Sequence, residues 1–377
     1  MFVTTAQWIL RYELREEGVL IASGEQAPVI PAQRSEYLPL ALPPTRGNHE
    51  YTLDCMMCLR ERTLWAEPGY VQFRGQHVWR TGDRVCTEPE KPVEVICGDV
   101  NTGVRLHHGF VLFSKQDGGP VSLRRDGGEE MILTAPRPAF WRALTDNDRG
   151  CQLGRQCGCW YGADQFAACV RTAEETLADG RYRIAYTYQF PQPIRSELEV
   201  RYTVGADRIR VESIWSGEDG LPDLPLFGWK LHLPEAFHRV RWYGAGPAEN
   251  YIDRSCGALL GVYEAAARDN VTPYLIPQGC GNRTGTRWLE LSNDSGGGVR
   301  IEAVDDPLEF MALPYTQGEL EQAQHQYELP SPVKTVLTVM QRQMGVGGDD
   351  SWGAPVHEPY RLPAREKRTL SFDLMLL

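Results

Sequence analysis

No uncharged apolar run in this chain approaches the roughly 20 residues that cross a bilayer as a helix. Basic runs are missing too. Lys plus Arg number 39 against 50 Asp plus Glu, a formal charge of −11, which disfavours nucleic acid and anionic membranes as partners. Met1-Phe2-Val3-Thr4-Thr5 has neither a basic n-region nor an apolar h-region, so no signal peptide is read and the expected compartment is the cytoplasm. Ten cysteines spread over 377 residues do not resemble a small disulfide scaffold and fit reduced cytosolic thiols. Cys55 and Cys58 have CxxC spacing, but in an alternating strand they face opposite sides, and no second ligand pair follows. Cys151, Cys157 and Cys159 share a Gly-rich stretch with no His nearby, so no metal is expected in this chain.

Catalytic signatures are equally scarce. There is no Gly-x-Ser-x-Gly elbow, no HExxH and no Gly-rich phosphate loop. Gly98 to Gly103 and Gly279 to Gly285 lead into no helix, so they carry no nucleotide signal. Asp146-Asn147-Asp148-Arg149-Gly150 opens like a calcium loop but lacks the distal bidentate Glu, and reads as a surface loop. Glycoside hydrolysis needs two carboxylates flanking the scissile bond. The chain has acids in plenty, but no alternation of strands and helices that would build a barrel to present such a pair.

What is present is a long series of short strands. Trp8, Leu10, Tyr12 and Leu14 alternate with polar or smaller neighbours, Glu17-Gly18 turns, and Val19 to Ala22 returns. Tyr51, Leu53, Cys55, Met57 and Leu59 continue the period of two, and Val71 with Phe73 open a further strand. This spacing predicts an immunoglobulin-like sandwich over 1–92, incomplete at its N-terminus because Met1 falls almost on a strand. Thr81 to Pro92 reads as a linker.

Beyond it, 99–377 reads as one large antiparallel sandwich, so the fold class is all-β. Strands are predicted at Phe110 to Phe113, Val121 to Leu123, Met131 to Leu133, Arg181 to Phe190, Leu198 to Val204, Ile209 to Trp215, Lys230 to Leu233 and Val240 to Tyr243. Two helices are predicted, over Asp164 to Leu177 and after the capping box Thr316-Gln317-Gly318-Glu319.

Gly345-Val346-Gly347-Gly348-Asp349-Asp350-Ser351-Trp352-Gly353 stands apart. Four glycines in nine residues make a loop that is costly to order. Its cargo is Trp352, beside Asp349 and Asp350. An indole face with carboxylate acceptors next to it suits a sugar ring; the other reading is a Trp capping a core.

Four motifs in order resemble one family, the large β-galactosidases of glycoside hydrolase family 2. They are Pro138 to Asp148 (PAFWRALTDND), Tyr243 to Tyr251 (YGAGPAENY), Gly281-Asn282-Arg283-Thr284 with Arg287-Trp288, and Gly345 to Trp352. Thr63-Leu64-Trp65-Ala66 and its flanking strands look like the immunoglobulin-like domain that precedes this region. The resemblance implies a C-terminal piece of such an enzyme, with a larger domain of galactose-mutarotase-like super-sandwich type. The family's acid/base Glu follows an Asn in the barrel, and no Asn-Glu dipeptide occurs here, in keeping with an absent barrel. In some relatives this region is a separate small chain that works only with a large partner. The resemblance implies no catalytic residue in this chain, with Trp352 stacking on the sugar at the aglycone side. Asp349, Asp350, Asn282 and Arg283 are the remaining substrate-binding candidates, although Gly279-Cys280 replaces the family's usual Glu-Asn after Gln278. Arg283 reads equally as a surface ion pair, and Glu249 with Asn250 as structural residues of a Gly-Pro turn. The implied partners are a catalytic barrel or large chain and a galactoside such as lactose, with self-association left open. Magnesium and sodium are implied only for the barrel.

Two other classes of function are open to such a chain. An aldose epimerase on the same fold needs a Glu and a His converging in one cleft, and His107, His108, His232, His238, His325 and His357 are the candidates. A stand-alone carbohydrate-binding module would show galactoside affinity without any partner.

Overall fold

In a computed structural model, residues 3–83, 87–92, 94–350 and 352–377 are described, and they divide into two compact units. The first comprises Met1–Cys86 with Leu259–Val262; the second comprises Thr87–Ala258 with Tyr263–Leu377. Thr87 and Glu88, inside the expected linker, are tied into the second unit: Arg210 donates to the Thr87 carbonyl at 2.8 Å and to Glu88 Oε1 at 2.6 Å.

The first unit is built from β1 (Trp8–Glu16), β2 (Val19–Gln26), β3 (Glu50–Leu59) and β4 (Val71–Arg80), in the order β2-β1-β3-β4. Glu17 and Gly18, at φ 46° and 82°, make the hairpin turn between the first two, as a two-residue loop with positive φ at both positions should. The alternation in β1 is realised, with Trp8, Leu10, Tyr12 and Leu14 all buried. In β3 it is not so clean. Glu50, Thr52 and Asp54 are buried on the opposite face, where Asp54 receives Arg15 Nη1 at 2.6 Å and Gln76 Nε2 at 2.7 Å. These strands make a single antiparallel sheet; among the described residues of this unit there is no second sheet to complete a sandwich.

The second unit carries three sheets. Its strands run β5 (Glu94–Cys97), β6 (Asn101–Arg105), β7 (Gly109–Ser114), β8 (Gly119–Arg125) and β9 (Thr134–Ala139). Three short helices follow: α1 (Asp146–Gly150), α2 (Leu153–Gln156) and α3 (Gly158–Phe166). Then come β10 (Ala168–Thr176), β11 (Tyr182–Gln189), β12 (Leu198–Val204), β13 (Ile209–Trp215), β14 (Leu226–Pro234), β15 (Arg239–Gly246) and β16 (Leu259–Ala266), of which Leu259–Val262 count with the first unit. The chain ends through β17 (Arg283–Thr286), β18 (Trp288–Ser292), β19 (Gly298–Ala303), β20 (Leu308–Leu313), α4 (Gln317–Gln322), β21 (Lys334–Gln343) and β22 (Arg368–Leu376). The large sheet has the order β10-β11-β12-β13-β22-β19-β18-β15-β16. Facing it are a five-stranded sheet, β17-β20-β21-β14-β9, and the four-stranded β5-β6-β7-β8.

Aromatic contacts between layers show the sandwich. Trp229 of β14 meets Phe372 of β22 at 5.2 Å, Trp242 of β15 meets Phe310 of β20 at 5.9 Å, and Phe113 of β7 meets Tyr202 of β12 at 5.3 Å. Each such ring removes enough apolar surface from water to contribute roughly 1.5–3 kcal/mol. The result is an all-β protein with a few short helices between its strands.

Three expectations are corrected. The helix predicted over Asp164 to Leu177 stops at Phe166, and Ala168–Thr176 pairs with β11 as an edge strand. Its Ala and Glu content was misleading, because Val170, Thr172 and Thr176 are β-branched and a neighbouring Tyr-rich strand offers a full ladder. Met131 to Leu133 is no strand; Met131 and Ile132 are buried in an extended link whose N–H groups, with that of Leu123, donate to Glu130 Oε1 at 2.8–3.2 Å. Finally, Asp146–Gly150 is not a surface loop but the helix α1, with Asp148 only 1% exposed. The capping box at Thr316 forms as read.

Candidate functional site

The local design begins at β9, which runs into Phe140 and Trp141, both buried, and then into Arg142. An Arg flanked by such anchors enters the interior with them and must find partners there. Arg142 is 1% exposed and pairs bidentately with Asp148, Nε to Oδ2 at 3.1 Å and Nη2 to Oδ1 at 2.9 Å. Burial opposes the charge, but Asp148 outweighs it and raises the Arg142 pKa. Asp148 has a second task. Thr145 Oγ1 accepts from its N–H and its Oδ2 accepts from the Thr145 N–H, both at 3.1 Å, closing the capping box that starts α1.

The other guanidinium donors go to the base of the Trp352 loop. Nη1 donates to Gln343 Oε1 at 3.2 Å and to the Met344 carbonyl; Nη2 donates to the Gly345 carbonyl at 2.8 Å. Asp253 Oδ2 accepts from the Val346 and Gly347 N–H groups at 2.7 and 2.8 Å, and Asn147 Nδ2 donates to the Val346 carbonyl at 2.8 Å. Glycine is required where the loop folds back. A Cβ at Gly348 would lie 2.5 Å from the Ala354 carbonyl oxygen, and Gly353 sits at φ 145°.

From this fixed base the tip projects into solvent, and Trp352 is 86% exposed. It is not a core cap. Asp350 is occupied with the turn itself: its Oδ1 accepts from the N–H groups of Trp352, Gly353 and Ala354 at 2.8, 3.2 and 3.2 Å, which holds its carboxyl below the ordinary range. Asp349 is exposed and pairs with His357 Nε2 at 2.8 Å. Ser351 lies outside the described residues.

Asn282 and Arg283 are placed elsewhere, and their reading as substrate contacts is corrected. Asn282 is fully buried and donates to the Asn250 carbonyl at 2.9 Å and to Glu309 Oε2 at 3.1 Å. Arg283, 4% exposed, donates to the Asn282 carbonyl and to Asn270 Oδ1 at 3.0 Å, with its guanidinium 5.1 Å over the Trp242 ring. It is therefore no surface ion pair, and burial lowers its pKa. Glu249 is tied down by Arg254, by the Thr272 hydroxyl at 2.8 Å and by the Gly281 N–H at 2.7 Å, so it stays a structural residue.

Among the described residues the buried carboxylates Glu50, Asp54, Asp148, Asp164 and Asp373 are paired with Arg80, Arg15, Arg142, Lys230 and Arg210 in turn. Glu309 differs, because only Asn282 and the Gln343 N–H reach it and burial pushes it up to about 7. A carboxyl held above its unfolded value favours the protonated fold. Stability is therefore full below about 4.5, falls as pH rises from there towards 7, and levels off above it, a loss of roughly 3 kcal/mol. In Glu309→Gln this decline should vanish from urea midpoints measured between pH 4.5 and 8. Of the candidate histidines, His107, His325 and His357 pair with Glu90, Glu328 and Asp349 in exposed settings, and burial lowers the pKa of His232.

Sequence reading missed Arg142, Asp148 and Asp253. A cation set within Phe140-Trp141-Arg142-Ala143-Leu144 was the available signal for the first. Beside the loop base lies a cavity of about 320 Å³, with Thr145, Asp146, Asn147, Tyr251, Asp253 and Gln278 among its walls.

Residues 107–376 match the family described as "Beta galactosidase small chain", and residues 1–80 match "Beta-galactosidase, domain 4". The chain is 38% identical over 314 residues to a "Beta-galactosidase small subunit" of Latilactobacillus sakei, covering 75% of this chain and 98% of that one. It is 40% identical over 384 residues to a "Beta-galactosidase" of Halalkalibacterium halodurans, covering 99% of this chain. It spans only 37% of that longer relative. A putative aldose 1-epimerase from Escherichia coli K12 aligns over 74% of this chain and 99% of its own, at 12% identity and a TM-score of 0.41.

Proposed function

The chain belongs to the β-galactosidase small-chain family, and from that premise we propose that it is the non-catalytic C-terminal part, or small chain, of a retaining β-galactosidase. In this reading the two bond-breaking carboxylates reside on a barrel supplied by other polypeptide, and this chain completes the aglycone side of the active site. The observation that carries it is Trp352, 86% exposed at the tip of a loop whose base is fixed by buried charge. An anchored, solvent-facing indole is a ready stacking surface for a galactoside's aglycone ring. No cofactor is assigned to this chain; metals, where the reaction uses them, are assigned to the barrel. The cytoplasm is the compartment of this reading, supported by nine free thiols among the described residues. Self-association of the assembled enzyme belongs to the same proposal.

The test is reconstitution. The purified chain alone should leave a chromogenic β-galactoside untouched, and adding a family large chain that carries the barrel should restore turnover. Turnover by the chain alone, surviving removal of contaminating enzyme, would overturn the proposal.

A further inference from the structure

The segment before β17 is unlike the rest of an acidic chain: from Asn270 to Asn282, thirteen consecutive residues carry no charge. Pro277 to Asn282 are buried, but just ahead of them Leu275 is 93% exposed and Ile276 is exposed beside it. Tyr327, 81% exposed, belongs to the same surface, because Gln326 Nε2 donates to the Tyr274 carbonyl at 2.5 Å. The backbone that displays these side chains is fastened. The Tyr274 hydroxyl donates to Glu249 Oε1 at 2.5 Å, Gln278 Nε2 donates to the Ile276 carbonyl at 3.3 Å, and the Tyr327 ring stacks on His325. Apolar groups held in this way cost little entropy to bury against a partner.

The surface continues to the Trp352 loop through the end of α1. Arg149 Nη2 donates to the Pro277 carbonyl at 3.4 Å, and a Cβ on Gly150 would lie 3.4 Å from the Trp352 carbonyl carbon. Single exposed apolar residues need no explanation, but an uncharged, aromatic-bearing group on one fixed surface marks an interface. A second copy seated beside the end of α1 would crowd Trp352, which the proposed function needs open to the aglycone. A barrel seated there brings its carboxylates to the indole instead. We propose that Leu275, Ile276 and Tyr327 form part of the seat for the barrel-bearing chain. The inference rests on the proposed function and adds where the partner docks.

The test follows association of the full chain with a family large chain carrying the barrel, by sedimentation velocity, with turnover of a chromogenic β-galactoside read in parallel. Leu275→Ser combined with Tyr327→Ser removes apolar surface without adding charge; both positions are exposed, so the urea midpoint should not move. The double variant should raise the Kd roughly tenfold or more, the scale of losing anchor residues from an interface. Turnover lost at limiting variant should return when it is added in excess. Val170→Ser, at an exposed position of β10, should keep the wild-type Kd. Wild-type affinity in the double variant overturns the docking site and leaves the proposed function standing. Failure of the wild-type chain to assemble with the large chain overturns both. Self-association of the wild-type chain that disappears in the double variant reassigns the surface to a second copy and ends the inference. Equal weakening by Val170→Ser shows an effect not confined to this surface and overturns it too.

Discussion

Arg142→Met should lower the unfolding free energy of the chain by roughly 3–5 kcal/mol, the cost of leaving one partner of a buried pair without the other. The size follows from what the guanidinium does. It neutralises Asp148, which is as deeply buried as itself, and it satisfies Gln343 Oε1 and the carbonyls of Met344 and Gly345. Methionine fills similar volume but offers no donor, so a charge and three acceptors lose their partner together. Domains of ordinary stability have only about 5–15 kcal/mol in total, so the loss should be plain in a urea titration. Asp148→Asn on the same background should recover part of it, because the stranded charge is then gone. The loop should also open to proteolysis between Gly347 and Trp352. A midpoint shift worth less than about 1 kcal/mol would mean that solvent reaches this pair, contrary to its burial.

Trp352→Ala should do the reverse, leaving stability alone and striking function. The side chain is 86% exposed, so the unfolding free energy should move by no more than about 0.5 kcal/mol. In the reconstituted enzyme, kcat/KM for a galactoside with an aromatic or sugar aglycone should fall roughly tenfold to a hundredfold, the range of a central aromatic contact. Trp352→Phe should retain part of the activity. The deficit should shrink for substrates with a small leaving group, since the missing surface serves the aglycone. Equal losses for all substrates would point to poor assembly with the large chain instead of a lost stacking face, and wild-type rates would remove Trp352 from the site.

Strand positions were legible wherever one face is buried and the other wet. Tyr182, Ile184, Tyr186 and Tyr188 point inward from β11, and Leu198, Val200, Tyr202 and Val204 do so from β12, as their alternation requires. Periodicity failed at Ala168–Thr176, where an edge strand exposes most of its residues and leaves no apolar stripe to read. The exposed Trp352 was legible because glycines and acids surround it. Asn282 and Arg283 were not, since a polar residue in a loop motif looks the same whether it meets substrate or the protein interior. What decides is a partner far off in sequence: Glu309, 27 residues from Asn282, or Asn270, 13 residues from Arg283.

The same long separation has a temporal side. Arg142 finds its carbonyl acceptors 202 and 203 residues later in the chain. During synthesis, at about 5–20 residues per second, that guanidinium must wait some ten seconds or longer before Met344 and Gly345 emerge. The indole-bearing segment therefore sets long after Arg142 is made, and a polypeptide ending before Met344 lacks the carbonyls that fasten it. The geometry of that loop is thus deferred until those two carbonyls have left the ribosome.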